Sequence, residues 1–158
     1  MANDPSLEIR RREKAKKYLR LFLMDNEEMN RLLRRKEIDD DRLQFALELT
    51  ISDWNSTTPV TTRYSFSNFP SLYLLIHGGA IQCLKMAGLY QTRNHLTYIA
   101  GGSSFVRLDK GREYMAWAQN FASEYESKKL NLKIQGNVAH AMDGSGFSSE
   151  YELIGFDW

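Results

Sequence analysis

The sequence predicts a mainly α fold, a helical bundle with a small β-hairpin and an extended C-terminal arm. Three observations carry that reading. Apolar residues recur at three- and four-residue spacing in long stretches, and capping residues stand at their starts. Two short β-prone runs flank a glycine loop near residues 96–108. No repeat of fixed period and no low-complexity tract interrupts the 158 residues.

The elements follow in order. Pro5 opens the first helix, where proline is tolerated, and Leu7, Ala15, Tyr18, Leu19 and Phe22 share a face up to Met24. Asp25 with Glu28 has the form of a capping box, so a second short helix carrying Met29, Leu32 and Leu33 is expected. Asp39-Asp40-Asp41 places carboxylates at a helix N-terminus, where free N–H groups and the positive dipole end attract them. Leu43, Ala46, Leu47, Thr50, Ile51 and Trp54 then define a buried face, widened by Phe45 and Leu49, and the helix is expected to form the centre of the core. The cluster Asn55 to Pro59 ends it.

Residues 60–70 alternate polar and bulky side chains at Tyr64 and Phe66 and read as extended. Ser71 caps a helix to about Tyr90, with Gly78, Gly79 and Gly88 inside its apolar pattern. Each glycine costs ~1 kcal/mol against alanine, so their presence points to close approach of a neighbouring helix or to a kink. This stretch has membrane-like length, but His77, Gln82, Lys85 and the glycines favour a buried helix. Leu96 to Ile99 and Phe105 to Leu108 form the expected hairpin. Asp109 caps the last helix, in which Tyr114, Trp117, Ala118, Phe121, Ala122 and Tyr125 face the core and the pattern runs to Leu132 and fades after Gly136. The chain thus divides into basic N-terminal helices over 1–38, a helical core over 39–142 and a flexible arm over 143–158.

Charge is balanced overall at +1 but uneven: residues 1–37 carry eleven Lys/Arg against seven Asp/Glu, and the rest ten against thirteen. The single cysteine, Cys83, sits in an apolar run, so an internal disulfide is excluded and a reducing compartment fits. No secretory signal pattern follows the polar start, so the chain is expected to stay where it is made.

Chemical motifs fail on specific requirements. His77-Gly78-Gly79 has the form of an oxyanion turn, but no Gly-x-Ser-x-Gly elbow accompanies it. Asp143-Gly-Ser-Gly146 begins like a calcium loop, yet Phe147 and Ile154 fall where ligands are needed. His77, His95 and His140 lack metal-ligand spacing, and Gly101-Gly-Ser-Ser lacks the phosphate-loop ending. The expectation is a non-enzymatic protein without cofactor or metal.

Two stretches qualify as contact sites. Arg10, Arg11, Arg12, Lys14, Lys16, Lys17 and Arg20 against Glu13 give +6 within eleven residues, which reads first as a solvated face or a contact with an acidic partner and second as a site for DNA phosphates. Tyr151, Leu153, Ile154, Phe156 and Trp158 beyond the Gly144-Ser-Gly146 joint either fold back on the core or anchor in a partner subunit, where aromatics are enriched, and the flexible joint favours the partner.

The order of elements, with Asp39-Asp-Asp-Arg-Leu-Gln-Phe-Ala-Leu-Glu-Leu-Thr-Ile-Ser-Asp-Trp-Asn, a Thr-Pro loop, a glycine-containing helix, a hairpin and a long helix with a tail, resembles tailed-bacteriophage head-to-tail connector (adaptor) proteins over residues 39–158. The resemblance implies a virion neck protein assembled in the host cytoplasm. It implies a ring of about twelve copies closed by head-to-tail contacts, bound to the portal protein and the next neck or tail protein, with DNA passing through the channel and no membrane contact. A nucleic-acid-binding module using the basic helix is the alternative.

Overall fold

The computed structural model describes residues 5–28, 36–60, 63–93, 98–100, 103–105 and 110–141. The fold is mainly helical: α1 spans Pro5–Phe22, α2 Asp40–Ser56, α3 Leu72–Arg93 and α4 Lys110–Ala141. Between α3 and α4 the three-residue stretches Tyr98–Ala100 and Ser103–Phe105 lie antiparallel. The flanks of the expected hairpin, the Asp109 cap and the arm over 143–158 lie outside the described residues.

The centre of the core is α3, not α2 as the sequence suggested. It packs against α1, α2 and α4, and Leu74 to Ile81 are buried on every side. A helix apolar around its whole circumference needs neighbours all round, and here three helices supply them. Among the described residues it is long and apolar enough to cross a membrane, and its middle is enclosed within the bundle. Two of its glycines let those neighbours approach closely. A Cβ on Gly78 would meet Thr50 Cγ2 of α2 at 2.2 Å, and one on Gly79 would meet Leu19 of α1 and Leu47 of α2 at 3.0 Å.

α2 begins as the carboxylate run predicts: Asp39 is its N-cap and accepts from the Arg42 N–H at 2.8 Å. Leu43, Ala46, Leu47, Thr50, Ile51 and Trp54 are buried, whereas Phe45 is 52% exposed and leaves the face narrower than expected. α1 contributes Ala15 and Leu19, both fully buried, to the same core. It ends in a left-handed turn: Met24 has φ 55°, the Met24 N–H donates to Leu21 O and the Asp25 N–H to Arg20 O. That is the Schellman arrangement, with methionine where glycine usually stands.

Residues 63–70 form a non-helical loop that turns at Phe66–Asn68, so the segment expected to be extended over 60–70 folds back on itself there. Asn55 holds it through both its amide groups, bonded to the Tyr64 N–H and carbonyl at 2.9 Å. Phe66 and Phe69 are thereby buried, and Phe69 and Tyr64 pack edge-on to Trp54. The aromatic residues of the loop fold onto Trp54 and join the core, so period-two alternation here marks a plug.

α4 runs to Ala141, past the fading of its apolar pattern at Gly136. Ala118 and Tyr125 face the core, with Phe121, Ala122 and Leu132 half-buried, while Trp117 is 57% exposed. The same inward line continues through Lys129 and Lys133, both buried.

Candidate functional site

Polar chemistry in the described residues is organised as struts between helices. Asp53 near the end of α2 meets α4: its Oδ2 accepts from Lys129 Nζ at 2.8 Å and from Tyr125 Oη at 3.0 Å. Burial pulls the Lys129 ammonium down, but bonds to Asp53 and Glu126 outweigh it and hold the pKa above the usual lysine range. The Tyr125 hydroxyl is pushed up by burial and by the Asp53 charge. One helical turn on, Lys133 donates to the Thr57 and Pro59 carbonyls and lies 5.2 Å over the Trp54 ring. Burial lowers its pKa. Lys133 thus serves the carbonyls at and just past the end of α2, as cations near a helix C-terminus do, while Lys129 meets the Asp53 carboxylate there.

A second strut closes the α1–α2 connection. Arg20 binds Asp25 at 2.8 Å and Asp40 at 2.6 Å, and Asp25 also accepts the Glu37 and Ile38 N–H groups at 2.7 and 3.0 Å. The Asp25 carboxylate, read from sequence as opening a short helix toward Glu28, thus engages the chain twelve residues on; Met29, Leu32 and Leu33 lie outside the described residues. Beside it a cavity of about 70 Å³ is lined by Cys83, Glu37 and Tyr114 among others. Small-molecule sites run to roughly 300 Å³ or more, so this space suits at most water-sized guests. Burial pushes the Cys83 thiol up to about 12, and burial with the charge of the neighbouring Glu37 pushes the Tyr114 hydroxyl up to about 12.

The third cluster is aromatic. His77, 8% exposed, stands among Tyr73, Phe22 and Phe121 with ring centroids at 4.0, 5.0 and 5.8 Å. Its Nδ1 has no hydrogen-bond partner, and burial lowers its pKa, so the neutral ring is favoured. At the rim Tyr73 Oη donates to Glu124 at 2.8 Å and accepts from Lys128 at 3.0 Å. The Gly78 and Gly79 N–H groups belong to the helix ladder, so the oxyanion-turn likeness of His77-Gly-Gly ends here.

The basic run divides by its contacts. Arg20 is spent on Asp25 and Asp40, Arg11 donates to the Ser67 carbonyl, Lys16 pairs with Glu13 at 2.8 Å, and Lys14 lies over the Tyr18 ring at 5.9 Å. Arg10 and Lys17 are exposed and Arg12 is half-buried. The seven cations therefore do not share one open face. Tyr151, Leu153, Ile154, Phe156 and Trp158 lie outside the described residues.

Sequence reading missed the exposed side of α4. Leu130, Ile134 and Val138 are 48–50% exposed, with four-residue spacing that places them along one line. That spacing is present in the sequence, but the stronger apolar line through Ala118 and Tyr125 on the same helix masks it. No family model, curated protein or solved structure matches the chain.

Proposed function

We propose that this chain is a structural virion protein, a head-to-tail adaptor that forms a ring between portal and tail and lines a DNA passage. The supporting observation is the distribution of side chains. Polar groups tie helix to helix, while large apolar residues on the outside of α1 and α4, namely Ile9, Leu21, Leu130, Ile134 and Val138, stay 48–57% exposed. Uncovered apolar side chains on a bundle mark surfaces that partners cover. In this reading the protein is not an enzyme, and it takes no cofactor. It is a virion component assembled in the host cytoplasm and contacts its own copies, the portal and the next neck or tail protein. The hairpin near 96–108 and the extended arm over 143–158 are the loops by which the ring meets those partners, with Tyr151, Leu153, Ile154, Phe156 and Trp158 as anchors.

Deleting residues 147–158 tests the arm. Portal docking, followed by co-sedimentation, should be lost while helical content by circular dichroism is kept; unchanged docking removes the arm from the reading. DNA-binding by the basic helix gains little support, since Arg11, Lys16 and Arg20 are engaged within the chain.

A further inference from the structure

The described residues leave an aromatic face uncovered. α1 and α4 both pack on α3, and where they flank it five rings meet in a row. Tyr73 lies 4.0 Å from His77, His77 lies 5.0 Å from Phe22 and 5.8 Å from Phe121, and Phe121 lies 6.1 Å from Trp117. His77 is the buried floor, whereas Phe22 and Tyr73 are 39% and Trp117 57% exposed. Contiguous rings left in water mark a contact surface.

Charge on this face is one-sided. Arg10, Lys14, Lys17 and Tyr18 precede Phe22 at helical spacing on the same side of α1, while Glu8 and Glu13 fall off that side and Glu13 pairs with Lys16. Arg11 on the Ser67 carbonyl sets this cationic stretch beside the start of α3. Across from it α4 carries Lys110 and Lys128 against Glu113 and Glu124, and Glu124 is held by Lys128 and by Tyr73. The α4 side is therefore neutral, and the excess of positive charge comes from α1, at the end of the face where Lys128 lies on Tyr73.

The C-terminal segment has the complementary composition. Phe147 to Trp158 hold Glu150, Glu152 and Asp157, no lysine or arginine, and the rings of Phe147, Tyr151, Phe156 and Trp158. α4 passes the start of α3 between Tyr125, opposite Gly78, and Lys128, on Tyr73, so the chain that follows Ala141 sets out from the cationic end of the face. At about 1.5 Å per helical residue, Ala141 stands about 20 Å from Lys128 and about 36 Å from Trp117. An extended chain covers about 3.4 Å per residue, so Glu150 reaches Lys128 and Phe156 reaches Trp117. The order also agrees: Glu150 and Glu152 come first, where the cations are, and Phe156 and Trp158 come last, where the rings are.

We propose that residues 147–158 lie along this face of their own chain, with Glu150 and Glu152 toward Lys14 and Lys128 and with Phe156 and Trp158 on Phe22, Phe121 and Trp117. A short tether gives an effective concentration of roughly millimolar, which favours the segment of the same chain over that of a neighbour. The contact goes beyond the adaptor reading and does not rest on it; in that reading the portal competes with this face for the arm.

Paramagnetic relaxation in the full chain tests the contact. Gly155→Cys carries a nitroxide, and buried Cys83 does not compete for the label. In chains bearing both nitroxide and ¹⁵N, the amide signals of Phe22, Tyr73 and Trp117 should broaden, and those of Phe45 and Glu48 on the exposed side of α2 should not. An equal mixture of nitroxide-bearing chains without ¹⁵N and ¹⁵N chains without nitroxide should show no broadening. Trp117→Glu, at an exposed position, should abolish most of the effect at Phe22, and so should Glu150→Lys combined with Glu152→Lys, which leaves the helices untouched. Broadening at Phe45 equal to that at Phe22, or none at either, overturns the proposal. Broadening in the mixture also overturns it and assigns the face to a neighbouring copy's segment, as does an effect at Phe22 that survives both sets of substitutions.

Discussion

Gly78 shows how little room one residue leaves in this core. Its missing side chain is the space that Thr50 and Tyr125 occupy, so Gly78→Ala should destabilise the fold by about 1–3 kcal/mol through overpacking. Gly136 is the control: with open space around it, Gly136→Ala should stabilise by up to ~1 kcal/mol. Urea unfolding of the two variants beside the parent chain checks both signs. His77 supplies a pH dependence. Its folded pKa lies below the unfolded value of about 6.5 because burial disfavours the charged ring, so the unfolded chain binds more protons as pH falls through that value. Stability is therefore complete above about pH 6.5 and declines on acidification below it. His77→Phe, which keeps a ring among Tyr73, Phe22 and Phe121, should remove that part of the decline in melting temperature between neutral and mildly acidic pH.

At the scale of elements, the joints between helices carry the consequences. Asp53 partners a lysine that is only 3% exposed, so Asp53→Ala should cost about 3 kcal/mol by leaving that charge short of its main counter-ion. Lys129→Met, which removes the buried charge and keeps the stem, should be close to neutral, and a denaturation series separates the two. The stop of α1 is strained at Met24, where the left-handed conformation costs an L-residue roughly 1 kcal/mol; Met24→Gly should raise stability because the 57% exposed side chain loses little packing. These joints also mark where sequence was readable. The Asp39 cap, the α2 face and the buried character of α3 follow from periodicity and capping, which are local. The central place of α3 was not readable, since it depends on which helices use Gly78 and Gly79. Nor was the role of Lys129 and Lys133, because period alone assigns them to the inward line while their charge argues for the outside; only the facing Asp53 and the carbonyls at Thr57 and Pro59 reconcile the two.

For the whole molecule, three described helices around α3 form a body whose buried polar groups are directed at one another and whose outer apolar residues are not. The candidate contact sites were legible in unequal measure. The basic run stood out by composition, but folding commits Arg11, Lys16 and Arg20 to partners that are distant in sequence or on the same helix, which no count of charges reveals. The uncovered line through Leu130, Ile134 and Val138 was present as spacing, yet its exposure follows from which side of α4 the other helices cover. In the adaptor reading, a chain built this way holds its fold alone and gains order of assembly from a partner. Native mass spectrometry with negative-stain imaging of the full chain, alone and mixed with the portal ring of the same virion, tests that claim most directly. The adaptor reading predicts small species alone and a closed ring of many copies seated on the portal; a chain that stays unassociated in the presence of the portal contradicts it.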